Sequence, residues 1–357
     1  MSRSTDLVRA LLSGAESWHR NRIRRLTPVP STVDGDALLA RGERSVTVDQ
    51  THESVIVADA LVVKWYRAPV AARAVEQLVR LAEVGFPGSP PCHAVVYASG
   101  GAPVALVSGY LPGAEDGWNW CVRDFDADFG APLGELAARL HLALHQPHVT
   151  TVRATAHDFR QWQSQAYAAL DTALALTPGP DGAWLAGYAD RIRADLALPD
   201  VVGGTLLRGH GDLHVGQVLR WSGGLAVTDF DGNPAAAERS EWQPVARDLA
   251  QLLTSLQHVA MIVARQRAGA GIPEDAGAAS PTWPTTDDAL ARAAVLRGQL
   301  VAAYRATLGA ADSPELLDER VLRAFEVEQE CRELVYAARF LPRWRYAPVG
   351  VLRSWYP

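Results

Sequence analysis

A chain of 357 residues is long for one simple core and suits two lobes that share a cleft. Hydrophobic residues make up 48% and charged residues 21%, which is ordinary globular chemistry. The formal net charge of -6 argues against a general binder of nucleic acid or anionic membrane, since either needs a basic face. The arginine cluster Arg20, Arg22, Arg24 and Arg25 reads as a solvated face. Cys92, Cys121 and Cys331 lie far apart without metal-ligand spacing, and no apolar run reaches the ~18 residues of a membrane span. With no apolar leader segment at its start, the chain is expected to be a cytoplasmic monomer with a small-molecule partner, no nucleic acid and no membrane.

In chain order, residues 5–24 carry Leu7, Ala10, Leu11, Trp18 and Ile23 at helical spacing, which predicts one amphipathic helix. Three β-rich runs follow at 45–49, 54–57 and 61–66, the first two flanking the polar turn Gln50-Thr51-His52-Glu53. A helix is expected over 70–83, between Pro69 and Gly85, then strands at 94–98 and 104–110. Beyond Leu111-Pro112-Gly113 the pattern turns helical, near 131–146, 157–177, 182–197, 243–266, 285–308 and 315–340. Short strands are expected at 205–207, 218–221 and 225–228, the last two joined by Ser222-Gly223-Gly224. The Ala-, Gly- and Pro-rich stretch 268–283 reads as a surface loop.

The strongest local signal is His210-Gly211-Asp212-Leu213-His214-Val215-Gly216-Gln217, followed one hairpin later by Asp229-Phe230-Asp231-Gly232. Phosphoryl transfer to a hydroxyl needs a carboxylate to accept the hydroxyl proton and a metal on the nucleotide phosphates, held by oxygen ligands. Asp212 on a tight loop suits the base, and Gln217, five residues on, can turn its amide oxygen to the metal. Asp229 is returned by the hairpin as a metal carboxylate, and Asp231 can share the metal or a water beside it. A metal-hydrolase reading, with His210, Asp212 and His214 alternating as ligands, would need further His or carboxylate partners.

Lys64 is the only lysine among 34 basic residues. In a chain that otherwise uses arginine, it points to a task for a compact charge on a flexible stem. It falls near the end of the third expected strand, where a kinase keeps the lysine of the α- and β-phosphates, and Glu76 in the next helix is the expected ion-pair partner. Glu83 is set aside because a carboxylate at a helix C-terminus meets the dipole unfavourably. The phosphate loop is expected around Thr51 and Ser54, although it lacks the glycines that permit close backbone approach. The adenine is expected beside Ser108 to Tyr110.

The run from His210 to Gln217 and on to Pro234 resembles the aminoglycoside-phosphotransferase-like kinases, and within them the bacterial maltokinases and glucosamine kinases. Tyr110-Leu111-Pro112-Gly113-Ala114-Glu115-Asp116-Gly117-Trp118 looks like the segment after the inter-lobe linker of that group. The end of the chain, with Glu333, Tyr336, Pro342, Trp344 and Pro348, is similar to the maltokinase sugar-binding end. The acidic run Glu326-Val327-Glu328-Gln329-Glu330-Cys331-Arg332-Glu333 looks more like the glucosamine kinases. The resemblance implies an α+β, bilobal, protein-kinase-like fold. Its β-rich N-terminal lobe would span 1–110, with a small cap over about 1–44, and a mostly helical C-terminal lobe 111–357. It also implies ATP and Mg2+ as cofactors and a sugar hydroxyl as acceptor.

An amino sugar carries an ammonium that gains from carboxylates, whereas a neutral disaccharide does not. Gln329, Glu333 and Tyr336 share one helical face, Trp344 can stack on a sugar ring, and His214 adjoins Asp212. Glucosamine, phosphorylated at the 6-hydroxyl, is therefore the expected substrate. A solvated acidic helix surface is the plainer reading of the same run. The alternatives are a maltokinase, an antibiotic phosphotransferase, and a kinase-like binding protein without turnover.

Overall fold

The computed structural model describes residues 2–46, 52–66, 72–145, 152–199, 203–232, 240–269 and 286–357. Packing divides the chain into two units, Met1–Glu115 with Val218–Arg239, and Asp116–Gln217 with Ser240–Pro357. The sequence reading had placed 218–239 with the helical half.

The first unit opens with α1 (Arg3–Leu12), β1 (Ser17–Trp18), β2 (Asn21–Arg25) and α2 (Gly35–Arg41). It continues with β3 (Glu43–Val46), β4 (Glu53–Val57), β5 (Leu61–Trp65), α3 (Ala72–Glu83), β6 (Cys92–Tyr97) and β7 (Pro103–Gly109). All seven strands form one antiparallel sheet in the order β1-β2-β6-β7-β5-β4-β3. Leu7, Val8 and Leu11 of α1 pack on one face with Val55, Val57, Leu61, Val63 and Trp65. Val75 and Val79 of α3 cover the other with Cys92, Val95 and Leu106.

The single helix expected over 5–24 is corrected here. It stops at Leu12, beside Gly14 with φ +80°, and the rest becomes two extra strands. Residues 21–25 expose their arginines around one buried Ile23, a strand alternation too short to stand out from the helical spacing before it. The basic cluster is also put to structural use. Arg25 donates to the carbonyls of Leu11 (2.9 Å), in the last turn of α1, and of Ala15 (2.6 Å), just past it, and Arg24 pairs with Glu83 (2.7 Å).

The second unit contains α4 (Gly117–Arg123), α5 (Gly130–Leu144), β8 (Val152–Arg153), α6 (Ala156–Leu176), α7 (Gly179–Asp195) and β9 (Thr205–Leu206). The hairpin β10 (Val218–Trp221) and β11 (Gly224–Val227) then belongs to the first unit. The chain returns to the second unit through α8 (Ala246–Arg267), α9 (Thr286–Ala310), α10 (Leu322–Arg339) and α11 (Tyr346–Trp355). The helix expected at 315–340 begins only at Leu322, after two short 3-10 turns around Pro314–Leu316 and Glu319–Val321. The loop expected over 268–283 lies outside the described residues from 270 on.

Helix α8 is buried continuously from Ala246 to Met261, so it has no solvent face along that stretch. Helix α10 overturns the solvated-surface reading of the acidic run: Glu326, Glu328, Gln329 and Glu330 are all buried. Buried carboxylates need partners. Glu326 takes Arg297 (2.7 Å), Glu328 takes Arg247 (2.9 Å) and Arg332 (2.8 Å), and Glu330 takes His258 (2.9 Å). The three cysteines are buried free thiols. No helix among the described residues is long and apolar enough to cross a membrane.

Candidate active site

In the first unit the third expected strand, now β5, delivers Lys64 to the hairpin that carries the two aspartates. Its Nζ lies 2.5 Å from Asp231 Oδ2 and 3.4 Å from Asp229 Oδ1. Lys64 alternates with Val63 and Trp65, whose side chains enter the core on the opposite face. Asp229 is held at φ +61°, a conformation few side-chain-bearing residues adopt, and such positions cluster where a group is aimed for function. His52 Nε2 stands 3.5 Å from Asp231 Oδ2, and its ring meets Tyr66 edge-on at 5.2 Å. Sequence reasoning had passed over His52.

Ser54 is buried on β4, directly across the ladder from Lys64. Glu76 sits at an exposed position of α3. Ser108 is in β7, paired with Val62 and Cys92. The Gly109 and Tyr110 amides already donate to Pro91 O (2.9 Å) and Ala60 O (2.8 Å), and Arg44 donates to the Tyr110 hydroxyl (2.9 Å). Thr51 lies outside the described residues.

In the second unit the loop after β9 is built on an alternation. Leu213 and Val215 are buried, so Asp212 and His214 turn the other way. The loop is pinned by polar residues on α8 at 248, 251 and 255, successive positions of one helical face. Asp248 accepts from the amides of His210 (2.6 Å) and Gly211 (2.8 Å), Gln251 Nε2 donates to Asp212 Oδ1 (2.6 Å), and Ser255 Oγ accepts from the Val215 amide (3.0 Å). A Cβ on Gly209 would come within 2.4 Å of Asp248 Oδ2, so the loop can close on this carboxylate only with glycine there.

Behind Asp248, His141 of α5 places Nε2 3.2 Å from Oδ2 and Nδ1 2.6 Å from the Tyr304 hydroxyl of α9. Burial alone would raise the Asp248 pKa. The hydrogen bond and charge of His141, the charge of His210 and the Gly211 amide outweigh it and hold the group at about 2. Burial, with the charge of Asp248, pushes the Tyr304 phenol well above its ordinary range. Asp248 is thus an ionised anchor, and Asp212 keeps Oδ2 clear of the Gln251 bond.

Gln251 was not foreseen as a site residue. It holds Asp212 Oδ1 by a direct bond, and mutational series place hydrogen bonds to carboxylates at about 1.5–3 kcal/mol. Gln251→Leu is expected to lower kcat about tenfold or more, with the Michaelis constant for nucleotide unchanged. Steady-state assays with a thermal melt as a folding control check this.

Three of the residues expected to bind sugar, Gln329, Glu333 and Trp344, meet within this unit. Gln329 Nε2 donates to Glu333 Oε1 (3.0 Å), and Trp344 Nε1 donates to Glu333 Oε2 (3.1 Å). The Trp344 ring packs edge-on against His258 at 5.5 Å and Trp118 at 5.8 Å. Burial raises Glu330 to about 6 against the opposing pull of His258. Burial would lower His258, but the charge and hydrogen bond of Glu330, with the charge of Glu333, keep it raised. Tyr336 stands apart from this cluster: it is exposed and packs on exposed Phe340 at 5.4 Å.

No family model matches the chain. A glucosamine kinase of Streptacidiphilus jiangxiensis is 40% identical over 332 residues, covering 86% of this chain and 72% of the relative. The chain belongs to the glucosamine kinase family. A solved glucosamine kinase in complex with glucosamine, ADP and inorganic phosphate superposes with a TM-score of 0.77 at 33% identity, over 95% of this chain and 82% of that one. The GDP and kanamycin complex of APH(2")-IIia matches at a TM-score of 0.50 and 15% identity, over 88% of this chain and 92% of that one, a likeness of fold alone. Glucosamine kinase membership thus agrees with the resemblance read from His210–Gln217 and from the acidic run.

Proposed function

We propose that this chain transfers the γ-phosphoryl group of ATP to the 6-hydroxyl of glucosamine, giving glucosamine 6-phosphate and ADP. The observation that carries the reading is Glu333, a carboxylate oriented by Gln329 and Trp344 in the same unit as the Asp212 loop. Each of its oxygens keeps a second lone pair for a cationic donor. The family relationship supports it.

Asp212 orients the acceptor hydroxyl and takes its proton as the new O–P bond forms, while the bond from the γ-phosphorus to the β–γ bridging oxygen breaks and ADP leaves. His214 adjoins the base, with Nε2 3.8 Å from Asp212 Oδ2. Lys64 binds nucleotide phosphate, with Ser54, Thr51 and Glu76 in the supporting roles assigned from the sequence, and Ser108 and Tyr110 beside the adenine. The Asp229 and Asp231 carboxylates already gather round one cation, Lys64, and offer the hard oxygen donors that magnesium prefers. These two, with the Gln217 amide, would hold Mg2+, which when bound neutralises phosphate charge. Tyr336 is assigned to the rim of the acceptor site and Trp344 to packing on the sugar ring.

Coupled ADP release with magnesium-ATP and glucosamine, glucose, maltose or kanamycin tests the proposal. Turnover on glucosamine well above the rest is expected. A preference for maltose or kanamycin would overturn the substrate, and nucleotide binding without turnover on any acceptor would point to a silent binding protein. Glu333→Gln is expected to raise the Michaelis constant for glucosamine roughly tenfold to a hundredfold while changing that for glucose little, since only the ammonium loses a charged partner.

A further inference from the structure

Trp118 is a residue of the α4 first turn whose cap, Asp116, accepts from the Asn119 amide (3.2 Å). Its ring stacks on His214 at 5.6 Å and 28° and meets Trp344 edge-on at 5.8 Å and 76°. It therefore touches both the neighbour of the base and the residue that holds Glu333. The contact with the loop is close enough to dictate sequence. A Cβ on Gly216 would lie 2.4 Å from Trp118 Nε1 and 2.8 Å from the His214 ring.

The loop itself sets a tautomer. The Gly216 amide donates to His214 Nδ1 (3.0 Å), so in the neutral ring the proton belongs on Nε2, the nitrogen facing Asp212 Oδ2 (3.8 Å). Trp118 covers the face of that ring and prevents it from turning out of this bond.

We propose that Trp118 is the positioning residue that couples recognition of the amino group at Glu333 to alignment of the hydroxyl at Asp212. It does so through Trp344 on one side and the Nε2–H tautomer of His214 on the other. This rests on the glucosamine reading above. A ring stacked on one partner and edge-on to the other links the two, and an aliphatic side chain fills the space without fixing either ring plane.

The test compares Trp118→Leu with Trp118→Phe. The expected result is that Trp118→Leu lowers kcat/KM for glucosamine about tenfold, most of it in kcat, and lowers the glucosamine-to-glucose ratio by a similar factor. Trp118→Phe should restore both to within about threefold. An unchanged ratio in Trp118→Leu, whatever the absolute activity, overturns the coupling. Should Trp118→Leu fail to fold, a cycle between Trp118→Phe and His214→Asn decides instead: non-additive losses support the proposal and additive losses overturn it. Nitrogen-15 NMR of labelled histidine separates this from the substrate question, since it needs no turnover. His214 should be the Nε2–H tautomer in the wild type and a tautomer mixture in Trp118→Leu, and an unchanged tautomer overturns the proposal. Wild type that phosphorylates no glucosamine, with the tautomer shift present, defeats the substrate and leaves the positioning role standing.

Discussion

Asp212→Asn is expected to reduce kcat about a thousandfold while leaving nucleotide affinity within a factor of about two. The substitution is nearly isosteric, and the asparagine carbonyl can still accept from Gln251 Nε2, which holds Asp212 Oδ1 at 2.6 Å. The loop would therefore stay in place and only the proton acceptor would be lost. Nucleotide affinity should hold because Lys64, Asp229 and Asp231 belong to the other unit and make their contacts there. Coupled ADP release with glucosamine reads the first effect and calorimetry with a nucleotide the second. Near-normal turnover in Asp212→Asn would remove the mechanism, and a parallel loss of nucleotide binding would make the residue structural.

Asp248→Ala carries the largest expected cost to stability. It would strip partners from the buried His210 amide, the Gly211 amide and the His141 imidazole at once. Each unsatisfied buried donor costs about 1–3 kcal/mol, and breaking a buried charged network typically costs about 3–5 kcal/mol. Urea unfolding should show a loss in that range, and kcat should fall in whatever fraction stays folded, because the loop bearing Asp212 loses its anchor.

The same carboxylate predicts acid sensitivity. Its folded pKa of about 2 lies below the ordinary 3.8, so the stability it contributes is present above about pH 4 and is lost as pH falls through 2. The difference corresponds to roughly 2 kcal/mol. Asp248→Asn, which keeps an acceptor but cannot titrate in this range, should flatten the dependence of the urea midpoint between pH 4 and pH 2. A midpoint as pH-dependent as the wild type's would place the acid-sensitive group elsewhere.

Sequence alone was sufficient for the layout of short segments. Asp212, His214 and Gln217 lie within one loop, and Asp229 and Asp231 follow a hairpin whose Gly223-Gly224 turn announces it, so spacing along the chain already implied a shared task. Strands β4, β5 and β7 and helices α5, α6 and α9 were legible for the same reason, since alternation or helical spacing over several residues is a local property. Lys64 stood out by composition alone.

What only the tertiary structure decided depends on residues far apart in the chain. Strands β1 and β2 exist because Asn21–Arg25 pairs with β6, some seventy residues on, and five residues with one buried side chain announce no strand by themselves. The polar stripe of α8 was hidden for a different reason. A helix buried all round has no solvent face to contrast with, so Asp248, Gln251, Ser255 and His258 look in sequence like an ordinary wet surface. The acidic run of α10 misleads in the same way, because charge suggests exposure until Arg247, Arg297, Arg332 and His258 arrive to pair it. The Trp118 contacts with His214 and Trp344 join three separate segments, and no local propensity encodes them. Local pattern specifies which groups are available and which elements form; the long-range packing that removes apolar surface from water chooses which of those groups meet.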